Sequence, residues 1–152
     1  MPTERGKREP VLIILVPIDG SENALRALRH IIGTRDLYRE PIELHLLNVQ
    51  LPVASGAVKM FISQPQLNDY YRDEGLAALK EARALLDKAG VPFQHHIGVG
   101  EIAPTIASYA REKDCRQIAM GTHGRGGLAG ALLGSVATKV IHLADRPVLL
   151  VK

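Results

Sequence analysis

The sequence predicts an α/β fold: a doubly wound, five-stranded parallel sheet with helices on both faces, of the Rossmann-like type. Two observations indicate it. Short apolar runs of strand length alternate along the whole chain with segments whose apolar residues recur at helical spacing. The first of these runs is apolar throughout, as expected for a strand that helices cover on both faces. Strands and helices that alternate in this way form parallel sheets through right-handed crossovers.

The first strand, first helix and second strand can be placed from the start of the chain. The apolar run Val11–Val16 is the first strand. Ser21 is a residue type that caps helices, and apolar residues at helical spacing follow it as far as Gly33, which suits a C-cap. The run Ile42–Val49 is the second strand.

A long connection and a long helix come next. The stretch Gln50–Pro65 ends with a proline and also contains Pro52 and Gly56. Because these residue types interrupt helices and strands, the stretch is predicted to be irregular. It follows the end of a strand, where ligands bind in such folds, so it is either a lid or a plain flexible insertion. The helix Leu67–Ala89 has a stripe of leucine and alanine, and Gly90 ends it.

The remaining elements repeat the alternation. Phe93–Val99 is the third strand, and Glu101–Lys113 is a helix that tolerates a proline in its first turn. Arg116–Met120 is the fourth strand. A glycine-rich loop and a fourth helix, which ends near Leu143, lead to the fifth strand, Val148–Val151.

Composition limits the classes of function. The 152 residues suit one domain, which we place at residues 11–152 behind a probable flexible tail at residues 1–10. The net charge of +3 is spread among acids, and only 4% of residues are aromatic, so a nucleic-acid partner is not expected. The single cysteine cannot form an internal disulfide, and the apolar run at Val11 is too short to span a bilayer. We expect a cytoplasmic protein without a membrane partner.

The most specific pattern is the glycine loop after the fourth strand. It reads Gly-Thr-His-Gly-Arg-Gly-Gly from Gly121 to residue 127. Gly121 and Gly124 are expected to let the backbone pass close to a sugar and to turn sharply, at φ values that other residues resist. Arg125 adds a positive charge in the loop. The nucleotide motif GxxxxGK[ST] is absent, so this is a different kind of phosphate loop.

A second set of donors is expected where the last helix begins. Gly134 opens that helix, which leaves the amides of Ser135 and Val136 unpaired at the positive end of the helix dipole. The Ser135 hydroxyl can add a hydrogen bond to an anion. A strand, a glycine loop and a helix N-terminus in succession favour phosphate binding.

Three stretches together resemble the universal stress protein family. They are Pro17-Ile18-Asp19-Gly20-Ser21 after the first strand, the spacing G-x2-G-x9-G-S that ends at Ser135, and Pro147-Val148-Leu149-Leu150-Val151. The resemblance covers the chain from about Val11 to Lys152. The glycine spacing is similar to that of the family's ATP-binding branch, and members of the family that lack these glycines generally do not bind ATP.

The resemblance implies contacts to the nucleoside. Asp19 would face the nucleotide and either hydrogen-bond the ribose or help to hold a divalent metal through water. Val49 would present backbone polar atoms to the edge of adenine, with Pro17 and Met120 nearby. Gly121 would lie against the ribose. No residue is assigned as a direct metal ligand.

The resemblance also implies phosphate contacts and an assembly. Gly124, Gly134, Ser135 and Val136 would donate hydrogen bonds to the phosphates. A homodimer would form by antiparallel pairing of the last strand, Val148–Val151, with its copy, which would cover an otherwise exposed apolar edge.

The function that follows is that of an ATP-binding stress or regulatory protein, with ATP as ligand and Mg²⁺ or Mn²⁺ as a companion. The nucleotide would bias conformation or assembly rather than serve as a substrate. No catalytic residue is assigned, because no general base for water is evident, and slow ATP hydrolysis stays open. Two alternatives stand beside this interpretation: a non-nucleotide interaction module of the same fold, and an ATP-using enzyme of the adenine nucleotide α-hydrolase type.

Overall fold

The computed structural model of the chain describes residues 9–53, 56–124 and 132–152. Within these ranges the strands form a parallel sheet in the order β3-β2-β1-β4-β5. The strands are β1 (Leu12–Pro17), β2 (Ile42–Gln50), β3 (Phe93–Val99), β4 (Gln117–Gly121) and β5 (Val148–Val151). The predicted fold class is confirmed, and each strand lies within one residue of its predicted position at either end.

Helices cover both faces of the sheet. The described helices are α1 (Glu22–Thr34), α2 (Gly56–Phe61), α3 (Gln64–Ala89), α4 (Ile102–Glu112) and α5 (Ser135–Leu143). All of them except α2, which has no buried residue, pack on the sheet. Alternate residues of β1 enter different cores because successive side chains of a strand point to opposite faces. Ile14 and Val16 pack with α1 and α3, whereas Leu15 packs with α4 and α5.

The order of the strands creates a crevice. β1 pairs with β2 on one side and with β4 on the other, so the chain leaves β1 in one direction and later returns to its opposite side. The helices that follow β1 and β4 lie on opposite faces of the sheet. Their departure leaves an opening above the carboxyl ends of these two strands, which is where open α/β sheets bind ligands.

Two helix boundaries differ from the sequence prediction. The stretch Gln50–Pro65 is not irregular throughout, because α2 forms within it and α3 begins at Gln64. Ser63 and Gln66 form a capping box: the Gln66 amide donates to Ser63 Oγ at 3.3 Å, and the Ser63 amide donates to Gln66 Oε1 at 2.9 Å. A proline is tolerated in the first turn of a helix, so Pro65 does not exclude this earlier start.

The predicted C-cap at Gly33 is wrong, whereas the one at Gly90 is confirmed. Gly90 adopts a left-handed conformation, with φ of +66°, and ends α3. Gly33 lies inside α1, which continues to Thr34 and into a 3-10 turn at Arg35–Leu37. Across the described ranges, no helix combines the length and the hydropathy of a bilayer-spanning segment.

Candidate functional site

A cleft of about 910 Å³ opens above the carboxyl ends of β1, β2 and β4. One side of α3 and the start of α5 form its walls. Nine of the residues singled out from the sequence line it: Pro17, Asp19, Val49, Met120, Gly121, Gly124, Gly134, Ser135 and Val136. The tenth, Arg125, lies outside the described residues. Segments that are far apart in the sequence therefore meet at one place.

Asp19 is held in position by the turn that starts α1. Its Oδ1 accepts a hydrogen bond from the Ser21 amide at 2.9 Å. Ser21 caps α1 as predicted, since its Oγ accepts from the Ala24 amide at 3.3 Å. Gly20, with φ of +82°, supplies the left-handed turn between them. The Asp19 carboxylate is thus oriented at the mouth of the cleft before any ligand arrives.

Gly124 lies close to the Asp19 side chain and has no unusual backbone conformation. The expectation that Gly121 and Gly124 adopt φ values resisted by other residues is wrong, because positive φ among the described glycines occurs only at Gly20, Gly90 and Gly100. A Cβ on Gly124 would instead stand 2.7 Å from Oδ2 of Asp19, far inside van der Waals contact. The absence of a side chain lets the loop backbone approach the carboxylate closely.

Gly121 is explained by helix packing. A Cβ at this position would lie 2.8 Å from the carbonyl oxygen of Asn23 in the first turn of α1. Backbone atoms cannot swing aside as the end of a side chain can. Gly121 therefore lets β4 and α1 pack closely, and the side of its Cα that would carry a Cβ faces α1.

The start of α5 sits directly on the end of β4. The Gly134 amide donates to the Thr122 carbonyl at 2.6 Å, and a Cβ on Gly134 would lie 3.1 Å from that same oxygen. Thr138 is the first residue whose amide bonds back along the helix, to the Gly134 carbonyl at 3.1 Å. The amides of Ser135 and Val136 precede this bond and so have no acceptor within the helix. No acidic side chain occupies the first turn of α5.

A buried amide fixes the spacing of β1 and β2 at the cleft floor. Asn48, only 3% exposed, donates from Nδ2 to the Ile18 carbonyl at 2.8 Å. Its Oδ1 accepts from Gln50 Nε2 at 2.6 Å. Val49 follows Asn48, and with Pro17 it adds apolar surface to the cleft. The floor therefore combines fixed backbone polar groups with apolar side chains, as small-molecule sites do.

One wall of the cleft was missed by the sequence reasoning. It consists of residues on one side of α3, namely Tyr70, Glu74, Ala77, Ala78 and Glu81. Their spacing is helical and lies beside the apolar stripe that packs on the sheet. The helical spacing of these residues can be seen in the sequence, but only the way in which α3 packs on the sheet shows that they face the cleft. Glu74 and Glu81 make this wall acidic.

The segment after β2 is tied to the same helix. The Val53 amide donates to the hydroxyl of Tyr71 at 2.9 Å, and Leu51, Pro52 and Val53 line the cleft. On the other side, Oγ1 of Thr122 lies 3.1 Å from Nδ1 of His123 at the end of β4. In the part of the chain that the structure describes, no group of three or more His, Cys, Asp or Glu side chains is arranged to hold a metal ion.

A second polar cluster lies between the sheet and α4, among the side chains of His45, His96 and Tyr109. Nε2 of His45 is 3.1 Å from Oε1 of Glu43, and the rings of His96 and Tyr109 are 4.8 Å apart. Nε2 of His96 is buried and has no hydrogen-bond partner among the described residues. Burial, and after it the neighbouring charges of His45 and Lys113, lower the pKa of His96 from its ordinary value of 6.5.

Solved structures with the same fold include proteins determined with an adenine nucleotide. A universal stress protein in complex with cAMP has a TM-score of 0.67 at 24% identity, and the match covers 93% of this chain and 97% of the other. The universal stress protein from Archaeoglobus fulgidus in complex with dAMP has a TM-score of 0.61 at 24% identity, with coverage of 95% and 100%. At these identities the likeness concerns the fold.

The sequence comparisons agree on one family. The model of the universal stress protein family matches residues 11–152. Universal stress protein MJ0531 of Methanocaldococcus jannaschii is 33% identical over 91% of this chain and 81% of its own length. YxiE of Bacillus subtilis is 30% identical over 91% and 97%. The solved structure of MJ0577 of Methanocaldococcus jannaschii has a TM-score of 0.79 at 30% identity, covering 93% of this chain and 95% of that one. With this fold, this cleft and these relatives, the chain belongs to the universal stress protein family.

Proposed function

We propose that this protein binds ATP in the cleft and that the nucleotide regulates its conformation or assembly. The observation that carries the proposal is the convergence of nine residues from separate segments on one cleft beside the start of α5. Relatives of the same fold were solved with cAMP and dAMP, which supports an adenine nucleotide as the ligand class.

The phosphates would lie at the start of α5. Ser135 and Val136 offer amides without intrahelical acceptors, and the exposed Ser135 hydroxyl adds a donor. The helix dipole places partial positive charge at this end, and the first turn has no carboxylate to oppose an anion. Gly124 and Gly134 keep side chains out of the space between the loop and the helix.

The nucleoside would lie toward β1 and β2. Asp19, oriented by the Ser21 amide, has its second oxygen beside Gly124 and would accept from a ribose hydroxyl. Val49, Pro17 and Met120 would contact the base, with backbone groups at the end of β2 reading its edge. Gly121 would border the ribose through its backbone, because the position of its absent Cβ faces Asn23.

A divalent ion fits this arrangement only together with the nucleotide. Mg²⁺ is commonly held by one or two carboxylates, retained water and substrate phosphates rather than by a cage of protein ligands. Asp19 is a carboxylate at the proposed meeting point of ribose and phosphates. It would hold Mg²⁺ or Mn²⁺ through water, and the ion would supply charge that offsets the phosphates.

The proposed assembly is a homodimer through β5. β5 is the last strand of the sheet and pairs with β4 on one side only. Its side chains are half-buried. Leu149 and Leu150 pack against the cores on opposite faces of the sheet, which holds the strand in place while the edge away from β4 stays open for pairing. An open, apolar edge of this kind is stabilised by pairing with a second copy.

The decisive test is to identify the ligand. The purified protein is denatured, any released nucleotide is identified by chromatography and mass spectrometry, and the nucleotide-free protein is titrated calorimetrically with ATP, AMP, cAMP and GTP in Mg²⁺. Co-purifying ATP, or heat from ATP exceeding that from GTP, supports the proposal. A folded protein that releases no nucleotide and gives no heat with any of them contradicts it and favours an interaction module.

A further inference from the structure

The short helix α2 exposes large apolar side chains to solvent. Met60 is 83% exposed and Phe61 is 87% exposed, and α2 has no buried residue. Ile62, which follows it, is also exposed. Removing such side chains from water is favourable. A helix of this composition is therefore stabilised by whatever covers it.

The chain before this segment and the helix after it both contribute residues to the cleft. On the amino side, Val53 lines the cleft and its amide donates to the Tyr71 hydroxyl at 2.9 Å. On the carboxyl side, the capping box of Ser63 and Gln66 starts α3, whose next turn carries Tyr70 into the cleft wall. α2 is therefore joined on both sides to elements that line the cleft.

The cleft mouth next to α2 is itself apolar and partly exposed. Leu51 is 62% exposed and Tyr70 is 52% exposed, and both line the cleft. Leu51 lies in the segment before α2, and Tyr70 lies in α3, which follows α2. An apolar surface thus continues from the cleft wall into the segments that flank Met60 and Phe61.

We propose that α2 closes over the nucleotide bound in the cleft and that Met60 and Phe61 cover its base. This inference rests on the proposed function and adds how the same site retains its ligand. A planar base presents an apolar face, and covering it would bury Phe61, Met60 and the base together. Closure would depend on the ligand because the bound base adds apolar surface that α2 can cover, which favours the closed state over the open one.

The chain contains no tryptophan, so a single introduced indole reports on α2 without background. Phe61→Trp places it on α2. Leu37→Trp is the matched control, because Leu37 is 83% exposed but lies in the turn after α1, at the opposite end of the sheet. Addition of ATP and Mg²⁺ is expected to shift the emission of Phe61→Trp to shorter wavelength and to reduce its quenching by acrylamide, and to leave Leu37→Trp unchanged.

A kinetic measurement tests whether Met60 and Phe61 slow the release of the bound nucleotide. The double variant Met60→Ser, Phe61→Ser should release nucleotide about tenfold faster while the association rate changes little, as expected when cover is lost from a bound ligand. Leu37→Ser should release it at the rate of the unaltered protein. Circular dichroism confirms that both variants are folded.

The outcomes separate this inference from the proposed function. If calorimetry detects ATP binding while the Phe61→Trp emission and the release rate stay unchanged, α2 is not a cover and the inference is overturned. If the emission shift follows protein concentration rather than ATP, a second copy covers α2 and the inference is likewise overturned. If ATP does not bind to the folded protein, the proposed function fails and the cover fails with it.

Discussion

Gly124 faces the carboxylate of Asp19 so closely that a Cβ at position 124 would stand 2.7 Å from Oδ2 of Asp19. The two residues follow β4 and β1, which are neighbours in the sheet although they are distant in the sequence. Their approach marks the crevice at which the strand order reverses. It also explains why one of the loop glycines matters to the proposed ligand rather than to the fold.

Gly124→Val is expected to abolish ATP binding and to leave the fold intact. The new side chain would displace the Asp19 carboxylate and fill space assigned to the phosphate loop, and Gly124 itself is exposed, so no core packing is lost. Calorimetric titration with ATP and Mg²⁺ measures the effect. Gly33→Ala is the control, since a Cβ there has no atom within 4 Å. Unchanged affinity in a folded Gly124→Val variant would remove Gly124 from the site.

Gly121→Ala should instead destabilise the protein, by about 1–3 kcal/mol, which is typical of overpacking. Its Cβ would meet the backbone oxygen of Asn23 at 2.8 Å, so β4 and α1 would have to separate. Urea unfolding followed by circular dichroism gives the free energy of unfolding. A stability equal to that of the unaltered protein would show that α1 can shift at no cost.

Asp19→Asn isolates the charge of the carboxylate from its role in the turn. Asparagine retains an Oδ1 that can accept from the Ser21 amide, so the start of α1 should be preserved. We expect ATP affinity in Mg²⁺ to fall about tenfold, in the range of a hydrogen bond to a charged group. The comparison variant Asp19→Ala should in addition lower the free energy of unfolding. Equal affinity for Asp19→Asn and the unaltered protein would argue against a contact from this carboxylate.

The histidine cluster predicts a loss of stability in mild acid. Burial is the main cause of the lowered pKa of His96, so between that pKa and 6.5 the unfolded chain binds a proton that the folded chain does not. This contribution is therefore fully present above pH 6.5 and is lost as the pH falls through that window. His96→Gln should reduce the drop in urea midpoint between about pH 7.5 and about pH 5.5.

The exposed neighbour provides the control for this pH effect. His95 lies on the same strand and its side chain points to the opposite face. The charge of His95 is the smallest of the causes that lower the pKa of His96, so His95→Gln should change the pH dependence of the urea midpoint much less than His96→Gln does. An equal change in both variants would assign the effect to the strand as a whole rather than to the partly buried ring of His96.

A test of the proposed dimer has to spare the core. Leu150→Asp would weaken pairing of β5, but Leu150 also packs against the α4 and α5 face, so the variant would confuse assembly with folding. The carbonyls of Pro147 and Val151 accept hydrogen bonds from backbone amides of β4 and of the residue that follows it. Backbone groups of successive residues in a strand point to opposite sides, so the amide of Val148 points toward the open edge of the sheet. Val148→Pro removes that outward donor and should shift the protein toward monomer in sedimentation measurements. Val148 also packs on the same core as Leu150, so Val148→Ala, which keeps the amide, is the matched control and should remain a dimer. A dimer of unaltered strength would place the interface elsewhere.

The alternation of apolar runs and amphipathic segments was sufficient to predict the fold class. Local signals that act within one turn were also readable, such as the cap of Ser21 on α1 and the left-handed Gly90 after α3. The prediction that α1 ends at Gly33 was wrong, because a glycine is compatible with a helix interior and nothing in the local sequence forces the chain to turn there. The prediction that Gln50–Pro65 is irregular to its end was wrong because Pro65 lies in the first turn of α3, where a helix accepts proline.

By itself, the sequence determined the strands and the longer helices, although not α2 or the end of α1, and so it determined which residues reach the carboxyl edge of a parallel sheet. These features depend on periodicity and on interactions between near neighbours in the chain. Only the tertiary structure decided what those residues face. It turned Gly121 toward α1, set Gly124 against Asp19, and brought the acidic side of α3 to the cleft. Such contacts depend on the angle and distance at which helices pack on the sheet, and these are set by the whole core rather than by any local stretch.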